Sequence, residues 1–251
     1  MMMLKKLEYV LKNQQILLLN KIKMENFDNF DLGLTFNNFD PEEIQQEETI
    51  NCVFVVDVSP STSRYIDELN NAFNDFVQTM QQSHIHDRLF VSVVEFDENV
   101  RVRSGFQPII GVPITTFVPT GRGTALYDAT LSGIKNAIDY RETLENTGIN
   151  VKTLIFIITD GEDNSSMSDA DNKVKKTLSN IKSNEANAFS FTSVLFGVGS
   201  QASFENAQQR MGVEILAKVG DSGSEIKKMI NFISSSISKS ASGNNPVNFN
   251  F

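Results

Sequence analysis

The sequence predicts an α/β fold, a doubly wound and mainly parallel six-stranded sheet with one short antiparallel edge strand and helices on both faces. Three observations predict it. From residue 50 onward, β-rich apolar runs alternate with stretches whose apolar residues recur at helical spacing, and the connections are short. The runs Ile50–Val56 and Lys152–Thr159 are apolar nearly throughout, which is how strands buried on both faces read. One segment, Asn99–Gly105, instead alternates after a tight turn and reads as an antiparallel edge.

The elements follow in order. After the strand Ile50–Val56, residues Arg64–Gln82 carry Ile66, Leu69, Phe73, Phe76, Val77 and Met80 at three-and-four spacing, an amphipathic helix. Arg88–Phe96 is the second strand and Asn99–Gly105 the edge. A loop through Pro108, Pro113 and Pro119 reaches Gly121-Arg122-Gly123, and Thr124 opens a long helix that runs to about Glu145. Lys152–Thr159 is the most apolar strand. Ser168 offers an N-cap hydroxyl to a helix over Asp169–Ser183, with Asp169 and Asp171 at its positive end. Phe189–Val198 is a strand, Ser203–Arg210 a short helix, Glu214–Val219 the last strand and Ser224–Ser238 the last helix.

Composition narrows the function classes. The chain has 251 residues, 40% hydrophobic and 21% charged, which suits one large globular domain over residues 50–238. A formal net charge of −9 argues against a nucleic-acid or anionic-membrane surface, since both need a positive stripe. Cys52 is the only cysteine, so no internal disulfide forms, and its apolar surroundings fit a packed thiol rather than a reactive one. No stretch reaches the roughly 18 apolar residues of a membrane-spanning helix. These features together point to a cytoplasmic protein.

The two ends differ from the middle. Residues 1–23 carry five lysines and one glutamate, whereas residues 24–49 carry eight acids and no base. The abrupt change at Met24 leaves two readings of residues 1–23: sequence upstream of the true start, or a basic amphipathic helix that docks on a partner or membrane. Lys12, Asn13, Gln14 and Gln15 interrupt the apolar core that a signal peptide would need. Residues 239–251 read as a flexible polar tail.

Chemistry concentrates in three distant segments, Asp57-Val-Ser59-Pro-Ser61, Gly123-Thr124 and Thr159-Asp160-Gly161. Asp57 and Asp160 follow apolar strands, and open α/β sheets bind ligands beyond the carboxyl ends of strands, where strand order reverses. If those two strands are neighbours, Asp57, Ser59, Ser61, Thr124 and Asp160 converge on one rim. Two carboxylates and three hydroxyls, with no thiol or imidazole, suit a hard divalent cation: Mg²⁺ first, Mn²⁺ or Ca²⁺ second. So few charged ligands leave room for an acidic group from another molecule.

The spaced segments Asp57-x-Ser59-x-Ser61, Thr120-Gly-x-Gly-Thr124-Ala-Leu and Ile157-Ile-Thr-Asp160-Gly161 resemble those of a von Willebrand factor A-type domain of the intracellular kind, with a complete metal-ion-dependent adhesion site. The resemblance covers about Ile50 to Ser238 and implies a Rossmann-like sheet. It implies that Ser59 and Ser61 bind the metal directly, that Asp160 supports it through water, and that Asp57 holds a coordinated water and the serines. Thr124 would join the ligands when a partner carboxylate arrives. Pro60 stands where many relatives have glycine, and Arg122 replaces a small residue in the glycine-rich turn. Arg122 reads either as a guide for an acidic partner or as a solvated loop residue; Glu162 and Asp163 read either as cation attractors or as a polar loop.

Other motifs carry less. His84 and His86 lack nearby thiols or further imidazoles, which leaves them as surface residues. Gly197-Val-Gly199 lacks the third glycine of a nucleotide-binding turn and no P-loop lysine occurs, while Ser59 lacks a nucleophile elbow and a placed base. The expectation is a non-enzymatic interaction module that captures an Asp or Glu of a protein partner on bound Mg²⁺. The alternative that the resemblance allows is a substrate adaptor for an AAA+ ATPase of the MoxR or chelatase type, or a member of a tellurite-resistance or defence complex with kinase or phosphatase partners. A metal-dependent phosphate-ester hydrolase fits worst, since two-metal sites use more carboxylate and histidine ligands.

Overall fold

Strand β1 (Thr49–Asp57) is buried along nearly its whole length, and its side chains alternate between two apolar layers. Ile50, Cys52, Phe54 and Val56 face one core, Val53 and Val55 the other. The computed structural model describes residues 48–184, 190–200 and 202–242. The basic segment 1–23, nearly all of the acidic segment 24–49, the start of the expected strand Phe189–Val198 and the tail from 243 onward lie outside the described residues.

The remaining strands are β2 (Leu89–Phe96), β3 (Val100–Pro108), β4 (Val151–Thr159), β5 (Phe191–Val198) and β6 (Ile215–Val219). They form one six-stranded sheet in the order β3-β2-β1-β4-β5-β6, parallel except for β3, which runs antiparallel to β2. The order reverses between β1 and β4, so the doubly wound prediction holds. β3 extends past the expected Gly105 to Pro108, because register irregularities between Val91 and Val94 let Gln107 and Pro108 keep pairing. Phe106 there stacks on Tyr140 with ring centroids 4.4 Å apart.

The helices are α1 (Ile66–Gln81), α2 (Leu126–Glu145), α3 (Ala170–Ser183), α4 (Phe204–Met211) and α5 (Gly223–Ala241). α1 and α5 bury Leu69, Phe73, Phe76, Ile230 and Ile233 against the even-numbered side chains of β1. Phe54 meets Phe73 edge-on, centroids 5.0 Å apart at 89°, a geometry worth about 0.5–1.5 kcal/mol beyond burial. α2, α3 and α4 cover the other face through Leu126, Ile134, Val174, Leu178 and Met211. Cys52 is fully buried and desolvation pushes its thiol well up, as expected of a packing residue.

Two helix ends depart from expectation. Ser168 is not the N-cap of α3; Asp169 is, in left-handed backbone with φ 70° and no side-chain capping bond. The turn closed by the Ala170 N–H on the Met167 carbonyl sets that geometry, 3.2 Å long. α5 runs on to Ala241 rather than stopping at Ser238, and its serines at 234, 236 and 238 satisfy their hydroxyls on carbonyls one turn back.

Gly133 lets α2 lie close to β1, because a Cβ there would stand 2.7 Å from Val55 Cγ2. Gly133→Ala therefore lowers stability by about 1–3 kcal/mol although alanine is the better helix former. Urea unfolding measures the effect; a gain in stability would show that α2 and β1 are not in that contact.

Candidate metal centre

The β1–β4 pairing brings the acids together. Val56 pairs with Ile158, so Asp57 lies beside Thr159 and Asp160 follows directly. The Thr159 hydroxyl donates to Asp57 Oδ2 at 2.6 Å, and the Ser59 N–H donates to Asp57 Oδ1 at 2.8 Å. Asp57 thereby fixes the first turn of the loop that carries both serines. The short 3₁₀ turn Pro60–Arg64 follows, with Pro60 suited to its start.

Ser61 Oγ donates to Asp160 Oδ1 at 2.8 Å and lies 3.1 Å from Ser59 Oγ. Ser61 has one proton and gives it to Asp160, so Ser59 is the donor of that pair. The hydroxyls form a chain from Ser59 through Ser61 to Asp160. Both carboxylates are only 1% exposed.

Thr124 does not open its helix but stands two positions before Leu126, where a neighbouring loop clamps it. The Thr124 N–H donates to Asn164 Oδ1 at 2.8 Å, and its carbonyl accepts from the N–H groups of Asn164 and Ser165 at 3.0 and 3.2 Å. Ser166 Oγ accepts from the N–H groups of Tyr127 and Asp128 at 3.1 and 3.0 Å, capping α2 from outside. A Cβ on Gly161 would lie 3.6 Å from Thr124 Oγ1, so the Thr124 hydroxyl faces the segment that follows Asp160. All five expected residues thus meet on one rim. Asp163, which accepts from Ser166 Oγ and the Tyr127 N–H, belongs to the clamp, and Glu162 accepts from the Ser203 N–H.

Several contributors were invisible in the sequence. Arg64, read only as the first residue of a helix, lays its guanidinium on Asp160, Nη2 to Oδ2 at 2.9 Å. Asp97, after β2, accepts from Arg101 on both oxygens, from the Thr120 hydroxyl at 2.7 Å and from the Asn99 N–H at 2.7 Å. Glu98 accepts from the N–H groups of Arg122 and Gly123. These two acids hold the turn that delivers Thr124. The Arg122 side chain is exposed and makes no ion pair among the described residues.

Burial dominates the electrostatics. Desolvation pushes Asp57 up to about 6, against hydrogen bonds from Thr159 and Ser59 that lower it, and the Asp160 charge adds to the rise. Asp160 is raised too, again by burial first, with Ser61 and Arg64 opposing. Tyr65 is fully buried with no partner for its hydroxyl among the described residues, and burial followed by the charges of Asp160 and Asp57 raises its phenol. Two desolvated acids, each receiving a hydroxyl, and an orphaned phenol fit a hydrated, oxygen-ligated cation. No cluster of three His, Cys, Asp or Glu exists among the described residues. His86 Nδ1 is engaged with the Ser83 carbonyl at 2.8 Å.

No family model matches the chain, and no curated protein matches it. Solved structures do. The pilus adhesin SpaC from Lactobacillus rhamnosus GG, in its open conformation, superposes with TM-score 0.55 at 12% identity over 78% of this chain and 31% of that one. A von Willebrand factor type A protein from Catenulispora acidiphila gives TM-score 0.53 at 13% identity over 76% of this chain and 43% of that one.

This chain has a von Willebrand factor A fold.

Proximal thread matrix protein 1 from the mussel byssus, with a zinc-occupied MIDAS motif, shares that A fold with TM-score 0.50, 16% identity and coverage of 75% and 45%. The chain spans less than half the length of each of these three proteins. Among the described residues no helix is long and apolar enough to cross a membrane.

Asp97 supplies a test of the clamp in this fold. Burial pushes its carboxyl up, but hydrogen bonds from Arg101, Thr120 and the Asn99 N–H outweigh this and hold it well below the usual carboxylate range. A depressed acid contributes stability that is complete above about pH 4 and is lost as the pH falls further. Asp97→Asn therefore costs about 1–3 kcal/mol at pH 7, and the gap to wild type closes in acid. Unfolding curves from pH 7 to 3 check it; a gap that persists unchanged at pH 3 would exclude the charged role.

Proposed function

We propose that this A domain is a metal-dependent interaction module in which Asp57, Ser59, Ser61, Thr124 and Asp160 hold a Mg²⁺-type cation and a protein partner contributes an Asp or Glu. The observation that carries the reading is the convergence of two buried carboxylates and three hydroxyls from separate segments on the rim where strand order reverses. When bound, the cation supplies a coordination position that a carboxylate oxygen from another molecule can fill.

The chain's own residues prepare that event. Asp57 orders the serine loop through the Ser59 N–H and is itself held by Thr159. Asn164 and the Ser165 N–H fix Thr124 beside the rim before any partner arrives. Such prior ordering lowers the entropy lost on binding. Arg122, exposed and unpaired among the described residues, adds a positive charge at the edge that steers an acidic partner. A binding rather than a nucleophilic role for Ser59 is supported by its neighbour, since the oxygen next to Ser59 Oγ is another serine hydroxyl, not a base.

The test is capture from native lysate by the full chain in Mg²⁺ and in EDTA, with Asp57→Ala and Thr124→Ala beside wild type, together with Mg²⁺ titration calorimetry. Asp57→Ala is expected to weaken cation affinity at least about tenfold. Partners are expected with wild type in Mg²⁺ only. Partners that ignore both EDTA and the substitutions would defeat the metal-bridged mechanism.

A further inference from the structure

Asp160 has two oxygens and both are taken, one by the Ser61 hydroxyl and the other by the Arg64 guanidinium. Ser59, Ser61 and Arg64 belong to one short stretch of chain, the 3₁₀ turn Pro60–Arg64 and its N-cap, so the turn that presents the metal-binding hydroxyls also presents a cation to the same carboxylate. Among the described residues Arg64 is the only positive side chain paired with either buried acid of the centre.

The seat of this guanidinium is built from several elements. Its Nε lies 3.6 Å from Asp221 Oδ2, in the loop that leads into α5. Beside both stands Gly199, at φ 79°, where a Cβ would come within 3.1 Å of Arg64 Nη2 and 4.0 Å of Asp221 Oδ2. Arg64 also borders a cavity of about 330 Å³ lined by Gly199, Ser200, Lys218, Gly220 and Asp221. The side chain is 35% exposed, so it has room to swing from Asp160 toward Asp221.

We propose that Arg64 is a built-in counter-ion that sets how tightly this centre takes a divalent cation, an inference that rests on the metal reading above. The guanidinium neutralises Asp160, so the fold can bury two acids side by side without a metal. A divalent cation drawn to the same carboxylate meets a like charge and must displace or share Asp160 with it. Arg64 therefore stabilises the cation-poor protein and weakens cation affinity, two effects of opposite sign on one residue. A purely structural arginine would have only the first.

The experiment compares wild type, Arg64→Gln and Arg64→Lys as full chains, with Mn²⁺ as the probe, followed by loss of the free-ion paramagnetic resonance signal. Arg64→Gln is expected to bind Mn²⁺ on the order of tenfold more tightly than wild type. Arg64→Lys, which keeps the charge but not the fork, is expected to stay within about threefold of wild type. Urea midpoints across a Mn²⁺ series provide the second reading: Arg64→Gln unfolds earlier in EDTA, and the gap closes as Mn²⁺ rises. This reading holds even if the variant is largely unfolded without metal. Equal or weaker Mn²⁺ binding by Arg64→Gln, or a gap in midpoint that is constant across the series, overturns the counter-ion role and leaves the metal centre standing. Absence of Mn²⁺ binding by every protein, wild type included, overturns the metal centre and the counter-ion role with it.

Discussion

The centre depends on one constraint, the parallel register of β1 against β4. Val56 opposite Ile158 sets Asp57 beside Thr159 and leaves Asp160 at the next position on the same rim. Side chains alternate across a strand, so a slip of one residue would turn Asp57 into the opposite layer and carry Phe54 out of its aromatic cluster. The two apolar layers on either face of β1 therefore enforce the register that the polar rim needs. Core packing and site assembly are the same event in this chain.

The rim holds its charge at a cost that the packing must offset. Both acids are almost wholly buried, and burial raises both. A buried carboxylate is tolerable when it is hydrogen-bonded and paired, and costly when it is not. Asp57 has a hydroxyl and an N–H but no cation of its own; Asp160 has a hydroxyl and Arg64. This unequal treatment leaves net negative charge beside the serine hydroxyls, the kind of surroundings a hard cation selects.

Most of the architecture was legible because it follows from local pattern. β1 and β4 declared themselves as unbroken apolar runs, and α1 as a stripe of Leu69, Phe73, Phe76 and Met80. Asp57 and Asp160 were legible because they lie at strand ends, where the topology of parallel sheets directs ligands, and Ser59, Ser61 and Thr124 because of the spaced motifs that carry them. What escaped were the supporting contacts between segments distant in sequence. Arg64 reaches Asp160 across 96 positions, and nothing in its own neighbourhood announces that. Asp97 and Glu98 looked like turn residues after β2, yet they hold the turn before Thr124. Ser168 failed as a cap for a local reason: the turn at Met167–Ala170 put Asp169, not Ser168, at the helix entrance in a backbone shape that propensity does not foresee.

Arg64 and Arg122 divide the positive charge around the rim, one turned inward on a buried acid and the other outward to solvent. In the proposed reading the inward one belongs to the balance of the centre and the outward one to encounter with a partner. The most direct measurement of the central claim is the anomalous difference map of a crystal grown with Mn²⁺. A single strong peak bordered by the hydroxyls of Ser59 and Ser61, with Thr124, Asp57 and Asp160 around it, is the predicted result. A map without a peak on that rim, at a Mn²⁺ concentration that saturates binding in solution, would contradict it.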